Sequence, residues 1–305
     1  MENKPKISVL APAYQAENFI QRYIDCVLNF DYPNIELILI NDGSKDRTHE
    51  IIESNRERII KAGIELKYIN LVENKGQAYA VNEGLKEVTG EYLSWHDVDD
   101  IFFSNCLTRC YEVIQEHPEC KLILNKAEVV NNFDLDKVIG YLPKKNFKHK
   151  NLFLNYLIGR NNIYTPVRFA ECKALFEVLE NKSIDVSRGG QNLQLLLPLV
   201  YKYKWFFLDE ILSKYVIYES SHSHSINKIE HNKQVLYIKI QTINRMKIAE
   251  CLKNLYKALT IIKFIFQFIN NLFKININRK KKFLKIILFG YEIFNSERIF
   301  NAKHT

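Results

Sequence analysis

Two rhythms of apolar residues alternate along the first 130 positions. Near-continuous apolar runs at 6–14 (KISVLAPAY), 35–42 (IELILIND), 64–74 (IELKYINLVEN) and 91–97 (EYLSWHD) predict strands covered on both faces. Between them, Phe19, Ile20, Tyr23, Ile24, Val27 and Leu28 make a helical stripe. The segment after Gly43 opens with turn residues, runs helically, and stops at Gly63 behind Lys61. A shorter helix is predicted within 75–90, closed by Gly90, and another at about 104–117, ending before Pro118. CKLILNKAEVV, from Cys120, reads as a fifth strand.

Strands alternating with helices of this length predict βαβ units, a doubly wound and mostly parallel α/β sheet. In such sheets a ligand sits beyond the carboxyl ends of the strands, near the switch point. Three polar clusters end strands: Pro12-Ala13-Tyr14, Asn41-Asp42-Gly43-Ser44 and Asp97-Val98-Asp99-Asp100. All three fall on one edge of the predicted sheet. Residues 133–165 resist assignment. Further on, 189–225 reads as a helix interrupted or ended near Pro198, a strand around 205–207, and a second strand or extended segment at ILSKYVIY.

Charge divides the chain. Of 43 Lys+Arg and 35 Asp+Glu, 16 basic and 4 acidic residues lie beyond Ser225, so the tail is strongly basic and the body mildly acidic. That argues against a nucleic-acid partner for the body and gives the tail a partner of its own. The tail (226–305) has helical periodicity with scattered lysines. Its longest nearly uncharged run, Ala258 to Phe273, falls short of the ~20 residues a spanning helix needs. An amphipathic helix lying on an anionic membrane surface is one expectation. Helices packed on the body or a partner, with lysines on the wet face, are the other. The six cysteines form no CxxC pair and predict buried, reduced thiols. No apolar signal core precedes the first strand, so a cytoplasmic protein is expected, peripheral at the inner face of the cell membrane if the tail binds lipid.

The acidic cluster carries the chemistry. In an extended segment Asp97 and Asp99 would point one way and Asp100 the other. Two carboxylates side by side at a strand end suit Mg²⁺ or Mn²⁺, whose remaining ligands would come from water and a di- or triphosphate. An acidic turn capping the next helix is the plain alternative. Asp42 before Gly43-Ser44 would accept hydrogen bonds from a nucleobase or ribose, or serve its own loop. Pro12, Ala13 and Tyr14 would lie beside the same base. Lys75 and Gly76 stand at a helix mouth that favours an anion.

SVLAPAYQAENFI, ELILINDGSKDRT, NKGQAYAVNEGL and GEYLSWHDVDD, in this order and spacing, resemble family 2 glycosyltransferases of the GT-A fold. The resemblance is specific over about residues 5–105 and weaker to about 225. It implies a GT-A domain over 1–225, with a nucleotide-sugar half (about 1–105) and an acceptor half (about 106–225), followed by the basic helical tail. It implies a nucleoside-diphosphate sugar as donor, a UDP-sugar being expected, and a glycan or lipid-linked acceptor of surface polysaccharide synthesis. Ala13, Tyr14 and Asp42 would contact the nucleoside, and Asp97 and Asp99 would hold the diphosphate through Mn²⁺ or Mg²⁺. Transfer would be direct displacement with inversion, a carboxylate taking the acceptor's proton.

The sequence departs from the family at that carboxylate. The base is expected in an acidic pair opening a helix before an aromatic-rich strand, and Gln191-Asn192 stands there. A neutral amide is no base. Asp185, His222 and His224 are the nearby candidates, with His96 beside the acidic cluster, while Gln191 is left to bind a sugar. The two histidines could equally reach the diphosphate or metal. A second reading follows: a nucleotide-sugar-binding partner of an active transferase, itself catalytically impaired. A nucleotidyltransferase would want a glycine-rich basic loop after the first strand, and APAYQAEN lacks one.

Overall fold

Every residue of β1 (Ile7–Ala13) and β2 (Ile35–Asn41) is buried. Such strands need cover on both faces, which is why their sequences are apolar almost throughout. The computed structural model describes residues 4–143, 151–159, 163–186, 190–218 and 228–273. β1 pairs in parallel with β2 on one side and with β4 (Tyr92–Trp95) on the other, and β2 pairs in parallel with β3 (Glu65–Asn70). The order β3-β2-β1-β4 reverses direction at β1, so the switch point lies between the carboxyl ends of β1 and β4. All three predicted polar clusters leave the sheet on that edge. β3 is the sheet's edge strand, and its half-exposed ELKYIN reflects the missing neighbour.

Helices α1 (Ile20–Leu28), α2 (Thr48–Lys61) and α3 (Gln77–Glu87) connect these strands and cover the sheet. α1 buries Ile20, Tyr23, Ile24 and Val27, most of the predicted stripe. One charged group is sunk in β2. Glu36 accepts from Ser8 Oγ, from Thr89 N (2.7 Å) and Oγ1 (2.6 Å), from Gly90 N (3.0 Å) and from Lys67 Nζ (2.8 Å). It ties β1, β2, β3 and the approach to β4 together at the amino end of the sheet.

Beyond β4 the sheet turns mixed. A two-residue strand, β5 (Ile101–Phe102), precedes α4 (Cys106–Glu116), so the predicted fifth strand is the sixth in order, β6 (Cys120–Asn131). β7 (Asp134–Leu142) folds back on it and occupies part of the stretch that resisted assignment. β8 (Arg168–Glu171) fits antiparallel between β4 and β6. α5 (Leu152–Ile158), α6 (Cys172–Val178) and α7 (Gln191–Lys202) pack behind it.

Two expectations change here. α7 runs through Pro198 without stopping: Leu193 to Val200 are all buried, and that packing outweighs the one helical hydrogen bond proline forfeits. The two predicted strands after it are a single one, β9 (Lys204–Ile217), whose irregular register against β6 absorbs the polar Asp209-Glu210.

The chain divides into two compact units, 1–261 and 262–305. In the first, α8 (Lys228–Arg245) buries Ile238, Thr242 and Ile243. Its Lys239 is buried and donates to the carbonyl of Leu157 at the end of α5 (2.9 Å), so not every tail lysine faces water. Arg245 binds the carbonyl of Ser183 (3.1 Å). α9 (Glu250–Phe273) begins in this unit, where the Tyr256 ring meets Phe153 and Tyr201. Of the second unit the described part is residues 262–273, with Ile262 and Ile265 exposed. Among the described residues no helix is long and apolar enough to cross a membrane. Four cysteines are buried, Cys26 is half-buried and Cys251 is exposed, all as free thiols.

Candidate active site

The three strand ends are tied by hydrogen bonds through the first turn of α3. Asp42 N donates to Ala13 O (2.8 Å), and both Asp42 carboxylate oxygens accept backbone amides, from Lys75 N and Gly76 N (2.9 Å each). The anion at this helix mouth is therefore the chain's own Asp42. The next residue, Gln77, donates from Nε2 to Asp97 Oδ1 (3.1 Å), so adjacent residues of one turn hold Asp42 and Asp97.

Glycine is required twice here. Gly43 lies at φ +65°, and a Cβ on it would stand 2.3 Å from the carbonyl carbon of Glu73. Gly76 lies at φ +92°, outside the region open to L side chains. Ser44 Oγ accepts from Gln15 N (3.0 Å), closing the loop against the end of β1. Tyr14 is about half-exposed at that end, beside buried Ala13. Pro12 occupies the last paired stretch of β1, opposite Ile40. Lys75 Nζ lies over the Tyr79 ring and 3.7 Å from Glu73.

The acidic cluster is a turn and not an extended segment, since Asp100 N donates to Asp97 O (3.2 Å). Strand alternation therefore does not sort its carboxylates; their partners do. Asp97 Oδ2 accepts from Arg168 Nη2 (2.6 Å). Asp100 is buried and its Oδ1 accepts from Val216 N (3.0 Å), bracing the turn against β9. Burial, then the charges of Asp99 and Asp97, push its carboxyl well above the usual range. Asp99 differs. Burial first and the Asp97 charge second push it up to about 6, against the smaller opposing pull of a backbone amide and of the Arg22 and Arg168 charges. Arg22 reaches only its carbonyl (2.6 Å), while also donating to Tyr218 Oη (2.9 Å).

Two neighbouring carboxylates, one of them raised this way although Arg22 and Arg168 are near, fit a divalent cation. The donor set is all oxygen, as Mg²⁺ and Mn²⁺ prefer. Asp99 is the better placed of the pair, because both oxygens of Asp97 already accept hydrogen bonds. Among the described residues no group of three or more His, Cys, Asp or Glu gathers to hold a metal. Most of a cation's shell would therefore come from water and ligand.

Arg168 is the residue that sequence reasoning missed. It is buried at the start of β8 and donates to Trp95 O (3.2 Å), Asn192 Oδ1 (2.9 Å) and Asp97. Trp95 Nε1 donates to the same Asn192 oxygen (3.0 Å). The available signal was a lone arginine inside TPVRFAECKALF, which once buried demands a carboxylate partner.

The base candidates separate. His96 is not available: it is buried, both ring nitrogens meet hydroxyls (Tyr23 Oη at 3.1 Å, Ser94 Oγ at 2.8 Å), and it stacks on Phe102. Burial holds it neutral by pushing its pKa well below the usual value. Gln191 is the first residue of α7 and is buried. Asp185 is clamped through its backbone, whose N and O bond the Gln194 side chain (2.7 and 3.1 Å), and its Oδ2 is buried without a partner. His222 and His224 lie outside the described residues.

The sequence and the fold have known relatives. The family model described as glycosyl transferase family 2 matches residues 8–168. An uncharacterized glycosyltransferase of Rickettsia typhi is 39% identical over 101 residues, 33% of this chain and 29% of the relative. The poly-beta-1,6-N-acetyl-D-glucosamine synthase of Staphylococcus epidermidis is 31% identical over 125 residues, 41% of this chain and 29% of that protein. The matched stretch thus spans less than a third of these relatives' length. Among solved structures, S. aureus TarS 1–349 in complex with UDP-GlcNAc superposes with a TM-score of 0.63 at 18% identity, covering 90% of this chain and 77% of that one. The mannosyltransferase PcManGT from Pyrobaculum calidifontis, in complex with GDP-Man and Mn²⁺, gives 0.56 at 12% identity, covering 95% and 81%. The fold is the GT-A fold. With the family model covering more than half its length, the chain belongs to glycosyl transferase family 2.

Proposed function

We propose that this chain transfers a sugar from a nucleoside-diphosphate donor, a UDP-sugar being the expected one, to a glycan or lipid-linked acceptor of surface polysaccharide synthesis, with inversion at the anomeric carbon. The observation that carries the reading is the pair of carboxylates at the switch point of the sheet: Asp97, held by Gln77 and Arg168, and beside it Asp99, which burial and the Asp97 charge push up to about 6. Asp97 and Asp99 would hold Mn²⁺ or Mg²⁺. The cation, when bound, takes up charge on the departing diphosphate. The rest falls to the protein. Asp42 fixes the loop over which Tyr14 and Ser44 would meet the nucleoside, and Gln77 and Arg168 fix the orientation of Asp97. TarS with UDP-GlcNAc, and PcManGT with GDP-Man and Mn²⁺, support a nucleotide-sugar donor and a divalent cation by likeness of fold.

Purified protein with Mn²⁺ and a panel of nucleotide sugars is expected to release nucleoside diphosphate, and Asp99→Ala to abolish that release. A wild-type chain that binds no nucleotide under any metal condition would sink the reading. A second reading, a donor-binding partner without turnover, is favoured by one contact: Asn192 Oδ1 is already committed to Trp95 and Arg168. Calorimetry separates the two, since tight donor binding without turnover on any acceptor supports the partner. The basic tail would hold the protein at the anionic inner face of a membrane.

A further inference from the structure

We infer that Arg22 and Tyr218 are positioning residues for the cation: they grip the backbone of Asp99 and so aim its carboxylate; this rests on the transferase reading above. Arg22 Nη2 donates to Asp99 O (2.6 Å) and to Tyr218 Oη (2.9 Å), and Tyr218 Oη donates to the same carbonyl (3.2 Å). Two donors far apart in sequence thus meet on one peptide oxygen. The rest of the turn is tied differently. Asp97 is held through its carboxylate by Gln77 and Arg168, and Asp100 through its carboxylate by Val216 N. At Asp99 the main chain is gripped, and the direction of the side chain follows from the orientation of that peptide.

The grip is built from α1 and the end of β9. Phe19 caps α1 and Arg22 lies three residues on, so the two share a helix face. The Phe19 ring packs on the Tyr218 ring, 5.8 Å between centroids, and keeps the hydroxyl in place. Tyr23, next to Arg22, bonds His96 Nδ1 (3.1 Å) just before the turn. Tyr218 follows the last residue of β9, two positions beyond the Val216 that braces Asp100. The Arg22 Nε is buried and among the described residues has no partner. An arginine free to turn to water would satisfy that N–H, so the contact with Asp99 is what holds the side chain inward. Charge alone does not explain the residue. The Arg22 charge is felt at the Asp99 carboxylate, as a pull smaller than that of burial, and a positive charge there repels an incoming cation. What Arg22 contributes is geometry, and outer partners that orient a metal-binding carboxylate change metal affinity by about tenfold to a hundredfold.

The test uses the full chain without acceptor. Mn²⁺ is titrated by calorimetry at a fixed concentration of UDP or GDP, whichever the wild type binds. Arg22→Gln is expected to weaken Mn²⁺ binding roughly tenfold, although loss of a positive charge would by itself tighten it. Arg22→Lys, which keeps the charge and one donor, is expected to fall between the two. Tyr218→Phe removes one bond and no charge, and is expected to weaken binding by less than Arg22→Gln. In turnover the loss should appear as a higher Mn²⁺ concentration for half-maximal rate, with the rate recovered at saturating Mn²⁺. Unfolded protein lowers the number of sites and not the dissociation constant, so a less stable variant stays readable. Mn²⁺ bound as tightly or more tightly by Arg22→Gln, or unchanged binding in Tyr218→Phe, overturns the inference and leaves the transferase standing. A wild-type chain that binds neither nucleotide with Mn²⁺ overturns both.

Discussion

The guanidinium of Arg168 lies 2.6 Å from the carboxylate of Asp97, joining the first residue of β8 to the turn that ends β4. The arginine side chain is 3% exposed and the aspartate 24%, so the pair is screened from water on one side only. Replacing Arg168 by Met would leave a half-buried carboxylate beside Asp99 with no counter-charge and remove a donor from Trp95 O. The expected loss is about 2–4 kcal/mol of stability, below the full cost of breaking a buried pair because Asp97 keeps some solvent. Arg168→Lys should lose less while still failing to reach three acceptors. Urea melts of the three proteins check the order, and equal stability of wild type and Arg168→Met would contradict it.

Asp99 predicts the opposite sign. Its folded-state pKa of about 6 stands above the ordinary carboxylate value, so the folded chain holds this proton to higher pH than the unfolded one. Stability from this group is complete below about pH 4, falls as pH rises through 6, and stays lost above. Asp99→Asn should therefore stabilise the metal-free protein at pH 7.5, by roughly 1–2 kcal/mol. The stabilisation that Mn²⁺ with nucleoside diphosphate gives the wild type should vanish in the variant. Thermal melts with and without both additives measure the two effects, and a less stable Asp99→Asn would refute the first.

Much of this arrangement is legible in the sequence, and the reason is local. β1 and β2 are buried along their whole length, so continuous apolar runs locate them. The turns that follow place Tyr14, Asp42 and Asp97 on one edge without any knowledge of contacts. Arg168 is not legible, because its meaning lies in Asp97, 71 positions away, and in Asn192 on a helix packed later. Asn192 reads as a missing base until Trp95 and Arg168 are seen to share its oxygen. β5 is two residues long and exists only as a partner of Lys214 and Ser213. The turn at 97–100 defeats the alternation argument for a similar reason: burial against β9, not strand geometry, sends Asp100 away from the site.

Glu36 sets the acid limit of the fold. Burial by itself would raise its carboxyl, but the bonds from Lys67, Ser8 and Thr89 outweigh it and hold the pKa at about 2. The stability it contributes is present above the unfolded value near 4.5 and is lost as pH falls from there toward 2. The loss amounts to about 3 kcal/mol. Denaturant midpoints taken between pH 7 and 3 should fall steeply below 4.5 in the wild type. In Glu36→Gln, which starts less stable at pH 7, the profile should be flatter. Parallel profiles would mean that other carboxylates govern acid unfolding.

The tail can be tested without damaging the body, because the packing shows where to cut. Removal of everything after Ser225 would take away α8 and expose the surfaces that Ile238, Ile243 and Tyr256 now cover, so lost membrane binding would be indistinguishable from lost folding. A cut after Phe273 removes eight basic and two acidic residues and spares both α8 and α9. Each basic residue near an anionic surface contributes about 1 kcal/mol at most, and salt screens that attraction. The full chain is therefore expected to bind vesicles containing phosphatidylserine and to be released at about 0.5 M salt. The shortened chain should bind them at least roughly tenfold more weakly while melting at the same temperature. Sedimentation with vesicles, repeated on neutral lipid, measures the difference. Equal binding by both chains would place the membrane contact elsewhere or rule it out.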